Sequence, residues 1–243
     1  NAVIIDDSAD LDEAVKAVRA SAFGFQGQKC SACSRVIVLE GSVEQFTERF
    51  IASTRALTIG DPRRPTTDIG PVIDAAARAS IERMIEAGKA EATLGLAMDL
   101  PAADQLMPGR DYVAPHIFTD VDPSARIARE EIFGPVVAIM RAGSFDEAMQ
   151  LAVEGTPYRL TGGVFSRKPS HIEQARREFR VGNLYINRGI TGALVARQPF
   201  GGFGMSGVGS KAGGADYLQQ FLEPRAICEN TMRRGFAPGV ESG

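Results

Sequence analysis

The chain has 243 residues, 44% apolar and 23% charged, with a formal net charge of −3. That balance belongs to a soluble globular protein of one large domain or two small ones. It lacks the basic clustering of a nucleic-acid partner and the run of roughly 20 apolar residues that a membrane span needs. The three cysteines are too few, and odd in number, for a disulfide framework, which fits a reducing, cytoplasmic setting.

The first residues, "NAVIIDD", begin without Met or a secretory pattern, and a piece of a longer protein is expected. Within them Ala2 to Ile5 reads as a short buried strand. "DLDEAVKAVRASAF" follows, where Leu11, Val15, Val18 and Ala22 keep a helical spacing and Asp10 with Glu13 forms a capping-box pattern. After the glycine-punctuated "FGFQGQKCSACS", a second strand is read over Arg35 to Glu40. A helix through "GSVEQFTERFIASTRAL" comes next, with Ser42 and Gln45 as its cap and Val43, Phe46 and Phe50 on one face. Thr58 to Val72 reads as a long Pro- and Gly-rich loop, and "YVAPHIF" around His116 as a strand. The strand–helix unit recurs twice. Pro135 to Met140 precedes a helix over Ser144 to Val153, capped by Ser144 and Glu147. Leu160 to Phe165 precedes "SHIEQARREF", capped by Ser170 and Glu173. Gly182 to Asn187 closes the series as a strand. Val- and Ile-rich strands alternating with amphipathic helices predict an α/β fold: an open, mostly parallel sheet flanked by helices. The stretch from Asn187 to Ser210 then holds seven glycines in 24 residues, a density whose entropic cost points to a functional loop.

Candidate chemistry is sparse. The histidines are His116 and His171. His171, in the first turn of a polar helix, reads as a solvated surface residue, and neither has a second ligand that would suggest a metal. Cys30 and Cys33 make a CxxC, which admits a zinc half-site, a redox pair, two small buried hydrophobes, or one nucleophile at a turn. A redox CxxC opens a helix after a strand, whereas this one follows a helix and turn and precedes a strand. In the nucleophile reading Gly27 lets the backbone bend so that neighbouring amides can face an oxyanion at Cys30. "EEIFGP" (Glu130 to Pro135) offers a carboxylate and an aromatic two residues apart, suited to a sugar and a flat ring, or simply a helix end and turn.

Taken together, "FGFQGQKC", "EEIFGP", "LTGGVFSR" and "PFGGFGMSG", in that order, resemble the aldehyde dehydrogenase superfamily over nearly the whole chain. The resemblance implies that Cys30 is the nucleophile and Cys33 a bystander. It implies that Glu131 and Phe133 bind the nicotinamide end of NAD (NADP not excluded), Glu131 on the ribose and Phe133 beside the ring. One oxyanion donor would be the Cys30 amide, the other an Asn of the cofactor domain. The family's Glu-x-Gly-Gly-Lys base segment and its dinucleotide-binding domain are not in this sequence, and Arg159 stands where Gly is usual. Residues 1–222 are expected to form the catalytic domain and 223–243 an oligomerisation strand and tail. The partners that the resemblance implies are a small-molecule aldehyde and further copies of the chain, joined as a homo-oligomer through the C-terminal strand, with no nucleic acid and no membrane. "QKCSACSR", "NRGITGALVARQPFGG" and "ENTMRRG" resemble most the branch acting on L-glutamate γ-semialdehyde in proline breakdown. In that branch Ser31, Gly192 and Ala193 hold the substrate carboxylate and Phe200 covers its aliphatic stem. Other readings are an aldehyde dehydrogenase of another substrate class and a non-catalytic oligomerisation or scaffolding module. Cys30 is expected to be the reactive thiol, with Cys33 and Cys228 inert.

Overall fold

Strand β1 (Ala2–Ile5) is buried along its whole length because it lies inside a sheet covered on both faces. It pairs in parallel with β2 (Arg35–Leu39) and with β7 (Thr161–Phe165), Val3 standing opposite Val36 and Gly163. In this computed structural model, which describes residues 1–194 and 196–231, the sheet has seven strands in the order β3-β4-β5-β2-β1-β7-β8. The others are β3 (Thr93–Ala97), β4 (His116–Thr119), β5 (Val136–Ala142) and β8 (Asn183–Ile186). All neighbours are parallel except β3, which runs antiparallel on β4. A separate two-stranded ladder joins β6 (Tyr158–Arg159) to β9 (Phe203–Gly204), so the backbone of Arg159 is part of that ladder.

The period-2 alternation of the strands sends successive side chains to opposite cores. Ala2, Ile4 and Ile37 face the layer of α3 (Ala75–Glu91), α4 (Arg126–Arg129), α5 (Phe145–Glu154) and α6 (Pro169–Glu178). Val3, Ile5, Val36 and Val38 face α1 (Leu11–Phe23) and α2 (Val43–Arg55). There Phe23, Phe50 and Phe46 stack in series, with ring centroids 5.9 and 5.5 Å apart.

Helix starts divide into those set locally and those overridden. Asp10 caps α1 by accepting from the Glu13 N–H, and Ser144 caps α5 by accepting from the Glu147 N–H. Ser42 does not cap α2: it is buried and already in helical conformation at the end of a 3₁₀ turn over Glu40–Ser42. Ser170 does not cap α6 either, because the helix starts one residue earlier on Pro169, whose fixed φ suits the first helical position. Helix α3, with its Asp74 cap, and the antiparallel β3 lie outside the alternation read from the sequence.

His171 is not a solvated surface residue. Its ring stacks on Phe145 at 4.2 Å, and its Nδ1 lies 3.1 Å from Oδ2 of the buried Asp6. The same oxygen accepts from Ser8 and Ser166. Burial pushes the Asp6 carboxyl up, but the bonds from Ser166, Ser8 and His171 together hold it below its ordinary value. Asp6, Ser166 and Asn187 directly follow β1, β7 and β8, so this polar cluster ties the carboxyl ends of three strands.

Candidate active site

The opposite, amino-terminal edge of the sheet gathers the segments leading into β2, β5 and β7. Helix α1 ends at Phe23, and three successive residues then take left-handed backbone angles: Phe25 at φ 60°, Gln26 at 59° and Gly27 at 67°. A left-handed residue with a Cβ costs roughly 1–2 kcal/mol, so Phe25 and Gln26 are strained and held by their surroundings. Gly27 has a second reason to lack a side chain. A Cβ there would fall on the carbonyl oxygen of Gly134 and within 2.9 Å of the Ala22 oxygen. The cysteine turn and the turn before β5 thus meet backbone to backbone. Gln28 adds a tie to the residue just past the 58–72 loop, its Oε1 accepting from the Ile73 N–H at 3.0 Å.

Three residues after Gly27, Cys30 is exposed. Its carbonyl and that of Ala32 both accept from Nδ2 of Asn1, at 2.8 and 2.9 Å, while Oδ1 of Asn1 accepts from the Thr161 N–H at 3.0 Å. One amide therefore pins the cysteine segment to β7. Cys33 points inward, 1% exposed, and burial pushes its thiol up to about 12. It is a small hydrophobe at neutral pH, and all three cysteines are free thiols. Cys228, expected to be inert, is exposed, so burial does not protect it.

Arg35 is also buried, and burial lowers its guanidinium to about 10, so it stays charged at neutral pH. It donates to the carbonyls of Leu151 and Ala152, 3.1 and 3.0 Å away. These are orphan carbonyls at the end of α5. The bond fixes α5, and with it the Thr156–Leu160 segment, against the strand that follows the cysteine.

Across from Cys30, Ile132 is buried and pegs the "EEIFGP" turn. Phe133 takes φ 53° and is 43% exposed. The adjacent carboxylates differ. Glu130 is held by Arg126 through bonds of 2.9 and 3.2 Å. Among the described residues Glu131 has no ion-pair partner, and it is exposed. Cys30, Glu131, Phe133, Tyr158 and Ser206 line one cleft of about 240 Å³. Such a cleft can take a planar ring against Phe133 with a hydroxylated ligand at Glu131, and present a carbonyl carbon to Cys30.

The model of the "Aldehyde dehydrogenase family" matches residues 1–227. The chain belongs to the aldehyde dehydrogenase family. Among curated relatives, 1-pyrroline-5-carboxylate dehydrogenase of Geobacillus thermodenitrificans is 48% identical over 236 residues, covering 94% of this chain and 43% of that protein. The Bacillus subtilis enzyme of the same name is 45% identical over 227 residues, covering 93% and 43%. Among solved structures, a Thermus 1-pyrroline-5-carboxylate dehydrogenase with bound NAD aligns at a TM-score of 0.84 and 50% identity, over 91% of this chain and 42% of that one. The chain therefore spans less than half the length of these relatives. The seven-stranded, mostly parallel sheet with helices on both faces is that of these aldehyde dehydrogenases.

Within this family fold, the geometry brings Cys30, Glu131 and Phe133 together and leaves the remaining predicted residues outside their cleft. Ser31 is buried, its carbonyl accepting from Oγ1 of Thr161. Gly192 takes φ +84° with open space around it, and Ala193 is half-buried. Phe200 is half-buried and exchanges two backbone bonds with Ala212. Sequence reasoning missed Asn1 and Arg35, whose partners lie more than a hundred residues away (Thr161 and Leu151). It also missed Gly134, the other half of the Gly27 contact. Residues 222–231 carry no strand, and 232–243, where the expected tail continues, lie outside the described residues.

Proposed function

We propose that this chain is the catalytic part of an NAD-dependent aldehyde dehydrogenase that oxidises L-glutamate γ-semialdehyde to glutamate. The observation that carries the reading is the exposed Cys30, held on a strained turn that packs against the turn bearing Glu131 and Phe133. The Cys30 thiolate attacks the aldehyde carbon, and the Cys30 amide stands ready as one oxyanion donor. The adduct held on Cys30 is a thiohemiacetal; once oxidised at its C–H with the cofactor bound, it would become a Cys30 thioester, from which water would release the acid and restore the thiol. When bound, the nicotinamide cofactor supplies the hydride acceptor. The residues present fit its nicotinamide end: an exposed carboxylate at Glu131, without an ion-pair partner among the described residues, for ribose hydroxyls and an exposed ring at Phe133 as a platform. Cys33, neutral and buried, takes no part.

Substrate choice rests on Ser31, Gly192 and Ala193 as donors to the α-carboxylate, with Phe200 over the stem. Backbone N–H groups in a glycine-containing loop can approach a carboxylate closely. The 48% and 45% identities to enzymes named 1-pyrroline-5-carboxylate dehydrogenase support this choice. Residues 1–222 as the catalytic unit, 223–243 as an oligomer contact between copies of the chain, and a cytoplasmic location belong to the same proposal. No described helix is long and apolar enough to cross a membrane. The test is kcat/KM of the full-length protein for glutamate semialdehyde against propanal and hexanal, with Ser31→Ala alongside. A site that pairs a polar group discriminates by roughly 10⁴–10⁵, so the preference is expected to be large and to fall in Ser31→Ala. Comparable values for the three aldehydes would defeat the substrate assignment.

A further inference from the structure

Ser21 lies near the end of α1 and is 1% exposed. Its two oxygens serve different segments. The main-chain oxygen, one of the carbonyls that α1 leaves without an intrahelical partner, accepts from the Cys33 N–H at 3.1 Å. The hydroxyl oxygen accepts from the Ile190 N–H, also at 3.1 Å and buried. One residue thus holds the cysteine segment and the root of the glycine-rich loop at once.

The loop root is shaped for this contact. A Cβ at Gly189 would stand 3.0 Å from the Ser21 hydroxyl oxygen, closer than a side chain normally sits. Ile190 is fully buried, in the same core face as Val3, Ala22, Phe23 and Tyr185. It occupies space left by Gly163 of β7, where a Cβ would come within 2.6 Å of it. Asn187 anchors the loop one step earlier. Its amide oxygen accepts from the Ser166 N–H and its Nδ2 donates to the Ser166 carbonyl. Beyond Ile190 the chain emerges, with Gly192 and Leu194 exposed.

We infer that Ser21 is a positioning residue that sets the glycine-rich loop, and so the donors at Gly192 and Ala193, relative to the cysteine segment that carries Cys30 and Ser31. The specificity part of this inference rests on the function proposed above; the tether itself rests on the bonds alone. Ser21 touches neither the reacting carbon nor the carboxylate. Its hydroxyl orients the loop through Ile190, while its main-chain bond to Cys33 survives replacement by alanine.

The experiment uses the full-length protein with Ser21→Ala, which strips the hydroxyl acceptor, and Gly189→Ala, which crowds the contact while keeping Ser21. Amide hydrogen exchange of residues 187–194 and kinetics on two aldehydes are read together. A buried N–H left without a partner is expected to speed exchange there by about tenfold or more and to lower kcat/KM for glutamate semialdehyde about ten- to a hundredfold, mostly through KM. Propanal turnover and the alkylation rate of Cys30 should change by less than about threefold, since neither needs the loop donors. Unchanged exchange in both variants, or equal losses for the two aldehydes, would overturn the inference. If the wild-type protein shows no preference for glutamate semialdehyde, the substrate reading falls. Exchange then decides the tether: faster exchange in Ser21→Ala upholds it and unchanged exchange overturns it.

Discussion

Replacing Gly27 with alanine tests whether the cysteine turn is held by its backbone contact with Gly134. Two costs add. Alanine at φ +67° pays roughly 1–2 kcal/mol for the left-handed conformation. Its Cβ would also fall on the Gly134 carbonyl oxygen, 2.7 Å from the Gly134 carbonyl carbon and 2.9 Å from the Ala22 oxygen. These are backbone atoms of helix α1 and of the turn before β5, so neither can rotate away, and overpacking of this kind costs about 1–3 kcal/mol. The sum is about 2–5 kcal/mol. For a domain of this size each kcal/mol lowers Tm by about 2–4 °C, so a fall of about 4–20 °C is expected in thermal unfolding. Gly24→Ala is the control, since a Cβ there meets nothing within 4 Å and its φ of −56° suits any residue. That variant should sit within about 1 kcal/mol of the wild type, on the stabilising side. In the full-length protein, Gly27→Ala should also lose about a hundredfold in kcat, because displacing a nucleophile by about 1 Å costs on that order. A Gly27→Ala protein as stable as Gly24→Ala would refute the packing argument.

Three further outcomes follow from the same structure. Limited alkylation with peptide mapping should modify Cys30 and leave Cys33 untouched in the folded protein, while the exposed Cys228 reacts as an ordinary thiol; modification of Cys33 ahead of Cys30 would contradict the assignment. The Cys33 thiol, raised by burial from 9.0 to about 12, stabilises the fold below pH 9, a contribution lost as pH rises toward 12. The stability advantage of wild type over Cys33→Ala in urea titrations should therefore shrink above pH 9 by about 1.4 kcal/mol per unit, and a pH-independent difference would count against it. Asp6→Asn, which sets an amide among donors from Ser8, Ser166 and His171, should lose about 2–4 kcal/mol at neutral pH. Because the Asp6 carboxyl is held below its ordinary value of 3.8, that gap should close as pH falls below about 4, and a gap that persists in acid would show the carboxylate is not what the cluster holds.

What the sequence determines by itself is whatever depends on residues a few positions apart. The strand β1, the apolar faces of α1 and α2, and the caps at Asp10 and Ser144 follow from period and from side chains that reach a backbone N–H three residues on. The glycine-marked cysteine turn is local in the same sense. The same local rule misled where a second local signal competed with the cap. Ser42 is drawn into a preceding turn, and Pro169 starts α6 ahead of Ser170. Tertiary structure alone decided the rest. His171 is polar and early in a polar helix, yet the burial of Asp6, far away in the chain, claims it. Cys30 and Cys33 are chemically alike in the sequence, and only the packing of α1 against the sheet makes one exposed and the other a buried thiol. The partnership of Gly27 with Gly134, and of Ser21 with both Cys33 and Ile190, exists because the parallel sheet closes long loops onto one edge. Closing a long loop adds little entropic cost beyond that of a short one, so neither sequence distance nor local pattern reveals which residues will meet there.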